Sequence, residues 1–150
     1  MEQYLRDNGV PFEVMTHSQA YTMSEVAAAL HVSGKQVAKV VVVKADGAMA
    51  VLVVPSPRRL NFAQVRDLLG AKEVSLAKEE EFSDLFPDCA PGAMPPFGNL
   101  YDVPVYADQS LEEREEIIFR VGTHQEVFKI PYTDFDRLAE PVVGEFTYLA

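Results

Sequence analysis

Apolar positions along this chain fall in short blocks closed by Gly, Pro, Asn or Asp, and no block is long enough to span a bilayer. The densest is Gln36-Val37-Ala38-Lys39-Val40-Val41-Val42-Val43-Lys44, with β-branched residues on both faces, which predicts a buried strand. Ala45-Asp46-Gly47 is a tight-turn signal and Met49 to Val54 a second apolar strand, so residues 37–54 read as a hairpin ended by Pro55-Ser56-Pro57. Further strands are predicted at Pro11–Met15, Glu73–Leu76, Val103–Ala107, Ile117–Val121 and Glu126–Ile130, with Val142 to Tyr148 closing the chain.

Helical patterns are equally short. Glu2–Asn8 is closed by Gly9. Thr22-Met23-Ser24-Glu25 has capping-box spacing and opens a helix through Ala27 and Leu30 that stops near Gly34. Asn61 caps a helix to Leu69 with Gly70 behind it, and Phe62, Val65, Leu68 and Leu69 form its apolar stripe. An acidic helix is expected over Ala77–Phe86, stopped by Pro87, and a last one runs from Pro131-Tyr132 through Leu138. Pro87 to Asn99, rich in proline, reads as irregular. The sum is one α/β (α+β) domain over residues 1–150, with a mostly antiparallel or mixed sheet.

Lys39 interrupts this pattern. Strand alternation puts it on a face with Val37, Val41 and Val43, where an ammonium group needs a reason to sit. Two readings are open: the side chain snorkels from a strand end into water, or its charge meets an anion or polarised carbonyl in a cleft.

Charge narrows the partners. The net charge of -10 argues against a general nucleic-acid groove. Its distribution is uneven, with seven Lys/Arg against six Asp/Glu in residues 1–70 and six against seventeen in 71–150. A polyanion would therefore approach Lys35, Lys39, Lys44, Arg58 and Arg59, and contact with only the end of a nucleic acid fits best. The lone Cys89 excludes an internal disulfide, and His17, His31 and His124 lack metal-ligand spacing, so neither a metal nor a cofactor is expected. With no signal peptide or membrane segment visible, a cytoplasmic protein is expected, and with no heptads, a monomer. No phosphate-binding glycine loop and no nucleophile elbow is present. What remains is a strand lysine and the rigid loop Gly92-Ala93-Met94-Pro95-Pro96-Phe97-Gly98, whose backbone groups can orient a water or an oxyanion without a side-chain nucleophile.

Thr22-x-x-Glu25, Lys39 within a valine-rich strand and Gly92-x-x-x-Pro96-Phe97-Gly98 together resemble the YbaK/prolyl-tRNA synthetase-associated editing domain family, from His17 to Leu138. The resemblance implies a compact fold with a mixed, barrel-like sheet and surrounding helices. It also implies hydrolysis of the ester joining a wrong amino acid to tRNA, most often tRNA for proline, by a freestanding, trans-acting deacylase. On that reading Lys39 anchors the terminal adenosine, and the Gly92–Pro96 backbone contacts the substrate amino group and positions water. Tyr21, Thr22, Ala93, Met94, Pro95, Phe97, Gly122 and His124 line the substrate pocket, with His17 and Ser24 at its mouth. The partners implied are the acceptor end of aminoacyl-tRNA and a prolyl-tRNA synthetase. The alternative is a non-catalytic module of the same fold that binds aminoacyl-tRNA ends, amino acids or a synthetase.

Overall fold

The computed structural model describes residues 1–16, 27, 33–87, 89, 93–120 and 126–149. At its centre β2 (Ala38–Ala45) and β3 (Ala48–Pro55) pair antiparallel, from Ala38 opposite Pro55 to Ala45 opposite Ala48. Asp46 and Gly47 join them at φ 48° and 88°, the doubly left-handed turn that matches hairpin twist and that Asp-Gly adopts readily. The Asp46 carboxylate also accepts the backbone N–H groups of Glu73 (2.9 Å) and Lys72 (3.0 Å). Those bonds hold its carboxyl below the usual carboxylate range and bring β5 (Val74–Leu76) alongside β2.

The five-stranded sheet runs β5-β2-β3-β6-β9, with β6 (Val105–Asp108) parallel to β3 and β9 (Val142–Gly144) parallel to β6. β1 (Glu13–Thr16), β8 (Glu126–Pro131) and β7 (Glu116–Arg120) form a three-stranded antiparallel sheet, ordered β1-β8-β7. β4 (Arg58–Leu60) and β10 (Thr147–Leu149) form a separate antiparallel ribbon.

The expected mixed α/β architecture is present, but the sheets do not close into a barrel. Among the described residues the backbones of the two larger sheets pair at one parallel bridge, Val37 to Ile118. The chain before β2 turns away in a 3-10 turn over Gly34–Gln36, leaving Val37 alone to pair. The same turn shortens the predicted strand by removing Gln36. Two further expectations change. The acidic segment makes only a short helix, α3 (Glu79–Phe82), and a 3-10 turn over Ser83–Leu85. Three consecutive glutamates offer no apolar face to prolong it, and Phe86 is drawn into the core. β4 follows the Ser56-Pro57 turn directly, where no strand was predicted.

The central hairpin separates two cores. On one face α2 (Phe62–Leu69) lays Val65, Leu68 and Leu69 over Val43, Ala50, Leu52 and Val54. Its start is capped by Asn61, which accepts Gln64 N–H at 3.1 Å, and its end by left-handed Gly70. On the other face Ala38, Val42, Val51 and Val53 meet a phenylalanine cluster. Phe97 is at its centre, edge-on to Tyr4 and Phe119 (both 5.7 Å) and Phe135 (5.9 Å), the last from α4 (Tyr132–Ala139). The following residue, Gly98, admits no side chain, because a Cβ there would lie 2.8 Å from the Val103 carbonyl oxygen and 3.1 Å from methyls of Val51 and Val105. Gly98→Ala is expected to cost about 1–3 kcal/mol. A calorimetric Tm equal to the parent's would show that the loop yields freely.

Candidate functional site

Strand pairing sets Lys39 opposite Val54, on the α2 face of the hairpin. Beyond Leu52 and Val54 this face is no longer roofed by α2, and a groove of about 650 Å³ opens, lined by Lys39, Arg58, Arg59, Phe62, Leu76 and Tyr148, with Ser56 and Pro57 among the rest. Each wall has a local cause. Ser56 N–H donates to the Val37 carbonyl (2.8 Å) and its hydroxyl to the Gly34 carbonyl (3.0 Å), which fixes the turn that sends Arg58 and Arg59 into β4. Arg59 pairs directly with Tyr148 across the β4–β10 ribbon, so both side chains leave the same face. Asn61 N–H donates to the Phe146 carbonyl (2.8 Å), and the next residue, Phe62, opens α2 at the groove wall.

Asp108 ties these pieces together. Its carboxylate, only 2% exposed, accepts Phe146 N–H (3.0 Å), Ser110 N–H (3.1 Å) and the Ser110 hydroxyl. It also lies 3.9 Å from the Arg58 guanidinium, which donates to the Thr147 hydroxyl (2.6 Å) and carbonyl (3.1 Å). Arg58 is therefore fixed at the groove by a buried acid and by β10.

The groove is cationic in an acidic protein. Among the described residues three cations line it and no carboxylate does, against a net charge of -10 for the chain. Lys39 is half-buried, and burial first, then the nearby Arg59 charge, lower its pKa from the ordinary lysine value. Among the described residues no carboxylate pairs with it. Other strand lysines differ: Lys44 meets Glu81 at 2.8 Å and Lys129 meets Glu13 at 2.9 Å. A half-buried cation held beside two arginines and two aromatic rings suits an anion attached to a planar ring.

The remaining predicted site residues are distributed unevenly. Ala93, Met94, Pro95, Pro96 and Phe97 are all buried, and Met94 and Phe97 share a cluster with Ala38 and Val42, on the face of β2 opposite Lys39. Gly92, Tyr21, Thr22, Gly122 and His124, with His17 and Ser24, lie outside the described residues. The groove instead gathers residues read from sequence in other roles: Phe62 as core stripe, Tyr148 as a strand end, and Arg58 and Arg59 only as charge. Asp108 carried a legible signal, since Asp-x-Ser before a turn is a capping pattern. Among the described residues, no group of three or more His, Cys, Asp or Glu is placed to hold a metal, and no helix is long and apolar enough to cross a membrane.

Fold and groove together describe a mixed α/β domain with a cationic groove beside its central hairpin. The profile of the aminoacyl-tRNA editing domain matches residues 17–138, and the chain belongs to that family. Its relatives include the proline–tRNA ligase of Shouchella clausii strain KSM-K16, 33% identical over 99 residues that cover 66% of this chain and 17% of the ligase. Another is the proline–tRNA ligase of Bacillus subtilis strain 168, 36% identical over 91 residues, 61% of this chain and 16% of the ligase. The chain thus spans only a small part of these relatives. Among solved structures, hypothetical protein APE2540 superposes with a TM-score of 0.88 at 22% identity, covering 98% of both chains. A candidate trans-editing enzyme for prolyl tRNA synthetase superposes at 0.85, also at 22% identity, covering 98% of this chain and 94% of that one. At that identity the two structures speak to the fold alone.

Proposed function

We propose that residues 1–150 act as a single editing unit, a trans-acting deacylase that hydrolyses the ester of a mischarged tRNA, most readily tRNA for proline carrying a small wrong amino acid. The observation that carries this reading is the cationic groove around Lys39, with no carboxylate on its lining among the described residues, in a chain of the aminoacyl-tRNA editing domain family. Family relatives within proline–tRNA ligases support the choice of tRNA. Small amino acids differ by groups worth only about 1–3 kcal/mol to a synthetase pocket, so a second, hydrolytic site is a reasonable solution for accuracy.

In this reading the Lys39 ammonium holds the phosphate or ribose of the terminal adenosine, and its base stacks on Tyr148 or Phe62. The ester crosses the start of β2, where Lys39 faces the groove and Ala38 faces the cluster of Met94 and Phe97. Backbone groups of Gly92–Pro96 contact the substrate amino group and orient a water. The water adds to the ester carbonyl, and the tetrahedral intermediate expels the ribose oxygen. The proton lost by the water passes through the neighbouring ribose hydroxyl to the departing ribose oxygen, and free amino acid and tRNA leave.

The test is deacylation by purified protein of tRNA for proline charged with alanine, cysteine, serine or threonine, with and without a prolyl-tRNA synthetase. Release of one amino acid well above its spontaneous rate is expected. No acceleration on any substrate would leave a binding module of the same fold. Tyr148 is 47% exposed, enough for a base to stack on it. Tyr148→Ala is expected to lower kcat/KM by about 1–3 kcal/mol, the worth of one base–aromatic stack, with Tyr148→Phe close to the parent. Equal losses in both variants would assign the hydroxyl rather than the ring.

A further inference from the structure

Arg58 also lines a second, smaller cavity of about 80 Å³, together with Lys35, Pro55, Ser110, Glu113 and Arg114. Its cations come from three separate elements that the fold brings to one place. Lys35 arrives on the 3-10 turn over Gly34–Gln36, which packs on the Ser56-Pro57 turn: a Cβ at Gly34 would lie 3.5 Å from the Ser56 hydroxyl and 3.7 Å from Pro57. Arg114 arrives at the end of the Gln109–Glu113 turn, whose start is capped by Asp108, the acid that also faces Arg58. Among the described residues Glu113 is the one carboxylate on the lining, against three cations. Cationic side chains therefore continue from Lys39 and Arg59 in the large groove, through Arg58, to Lys35 and Arg114.

We propose that the small cavity is a phosphate subsite for the single-stranded 3′ end of the tRNA, taking a backbone phosphate inward of the terminal nucleotide in the groove. This rests on the groove receiving that 3′ end. Cations with no aromatic ring beside them on the lining, among the described residues, suit a sugar–phosphate backbone and favour binding that is indifferent to base identity. An otherwise acidic protein then takes hold of tRNA through one short track, not a broad face.

The probe is uncharged, fluorescein-labelled tRNA for proline, with anisotropy followed from about 50 to 200 mM salt. The Lys35→Ala/Arg114→Ala variant is expected to bind roughly tenfold more weakly and to lose about one unit from the slope of log K against log salt. A Lys72→Ala/Lys78→Ala control removes the same charge from residues that line neither cavity, and is expected to change affinity by less than about twofold. Lys35→Gln/Arg114→Gln, with Tm measured for every variant, separates lost charge from lost folding. Parent-like affinity and slope in the Lys35/Arg114 variants would overturn the subsite, as would equal losses in the control or no saturable binding by the parent. Because no chemistry is read, an inactive protein that shows the expected losses would sink the deacylase reading and keep the subsite. In the charged-tRNA assay, the loss in kcat/KM is expected to exceed that on aminoacyl-adenosine by at least about fivefold.

Discussion

Lys39→Met is expected to remove most deacylation while leaving the protein at least as stable as the parent. The ammonium is half-buried beside Arg59, and its lowered pKa means that the folded state holds this proton less tightly than the unfolded chain does. The sign follows from linkage. Below the folded pKa the charged lysine detracts from stability, and stability returns as pH rises from that value towards the ordinary lysine pKa. Methionine keeps an apolar stem against Val41 and removes the charge, so Tm at neutral pH should hold or rise. Activity moves the other way. A charged hydrogen bond to the substrate is worth about 1.5–3 kcal/mol, so kcat/KM should fall roughly ten- to a hundredfold. In the parent, kcat/KM should decline with rising pH at a lower pH than for a free lysine, and Arg59→Gln should move that decline upward. Activity in Lys39→Met within twofold of the parent would remove Lys39 from the site. A clear drop in Tm would make the residue structural instead.

Asp108→Ala is the substitution expected to cost most stability. It strands the buried N–H of Phe146 and the part-buried N–H of Ser110 and takes the acid from Arg58. Unsatisfied buried donors cost about 1–3 kcal/mol each, so a loss of about 2–5 kcal/mol is expected in denaturant unfolding. Asp108→Asn keeps an acceptor for Phe146 and should lose less. Both should also weaken tRNA binding, because Arg58 and Tyr148 reach the groove through the β4–β10 ribbon beside Asp108. An alanine variant with the parent's unfolding midpoint would show that water replaces the carboxylate without cost.

The elements that read correctly are those whose signals are local. Val40 to Val43 around Asp46-Gly47 specify the hairpin because side-chain period and turn chemistry act within a few residues. Asn61 and Gly70 likewise bound α2 by bonding to their own neighbours. The acidic segment failed for the opposite reason: Glu79, Glu80 and Glu81 favour a helix start, yet nothing nearby supplies a face to bury, and Phe86 answers to a core made by distant residues.

By itself, then, the chain's order of residues determined the central hairpin, the Asn61 and Gly70 caps, the oddness of Lys39 and the family, all carried by contiguous patterns. Tertiary structure alone decided what Lys39 faces. Arg58, Arg59, Phe62 and Tyr148 come from β4, α2 and β10, and they meet only because Asp108 and Phe146 bind chain segments far apart in sequence. It also decided that the sheets stay open, since the 3-10 turn before β2 leaves, among the described residues, one bridge where a ladder would be needed. Such long-range pairings leave no periodic trace in the sequence, because each partner satisfies its own local pattern whether or not the other is present.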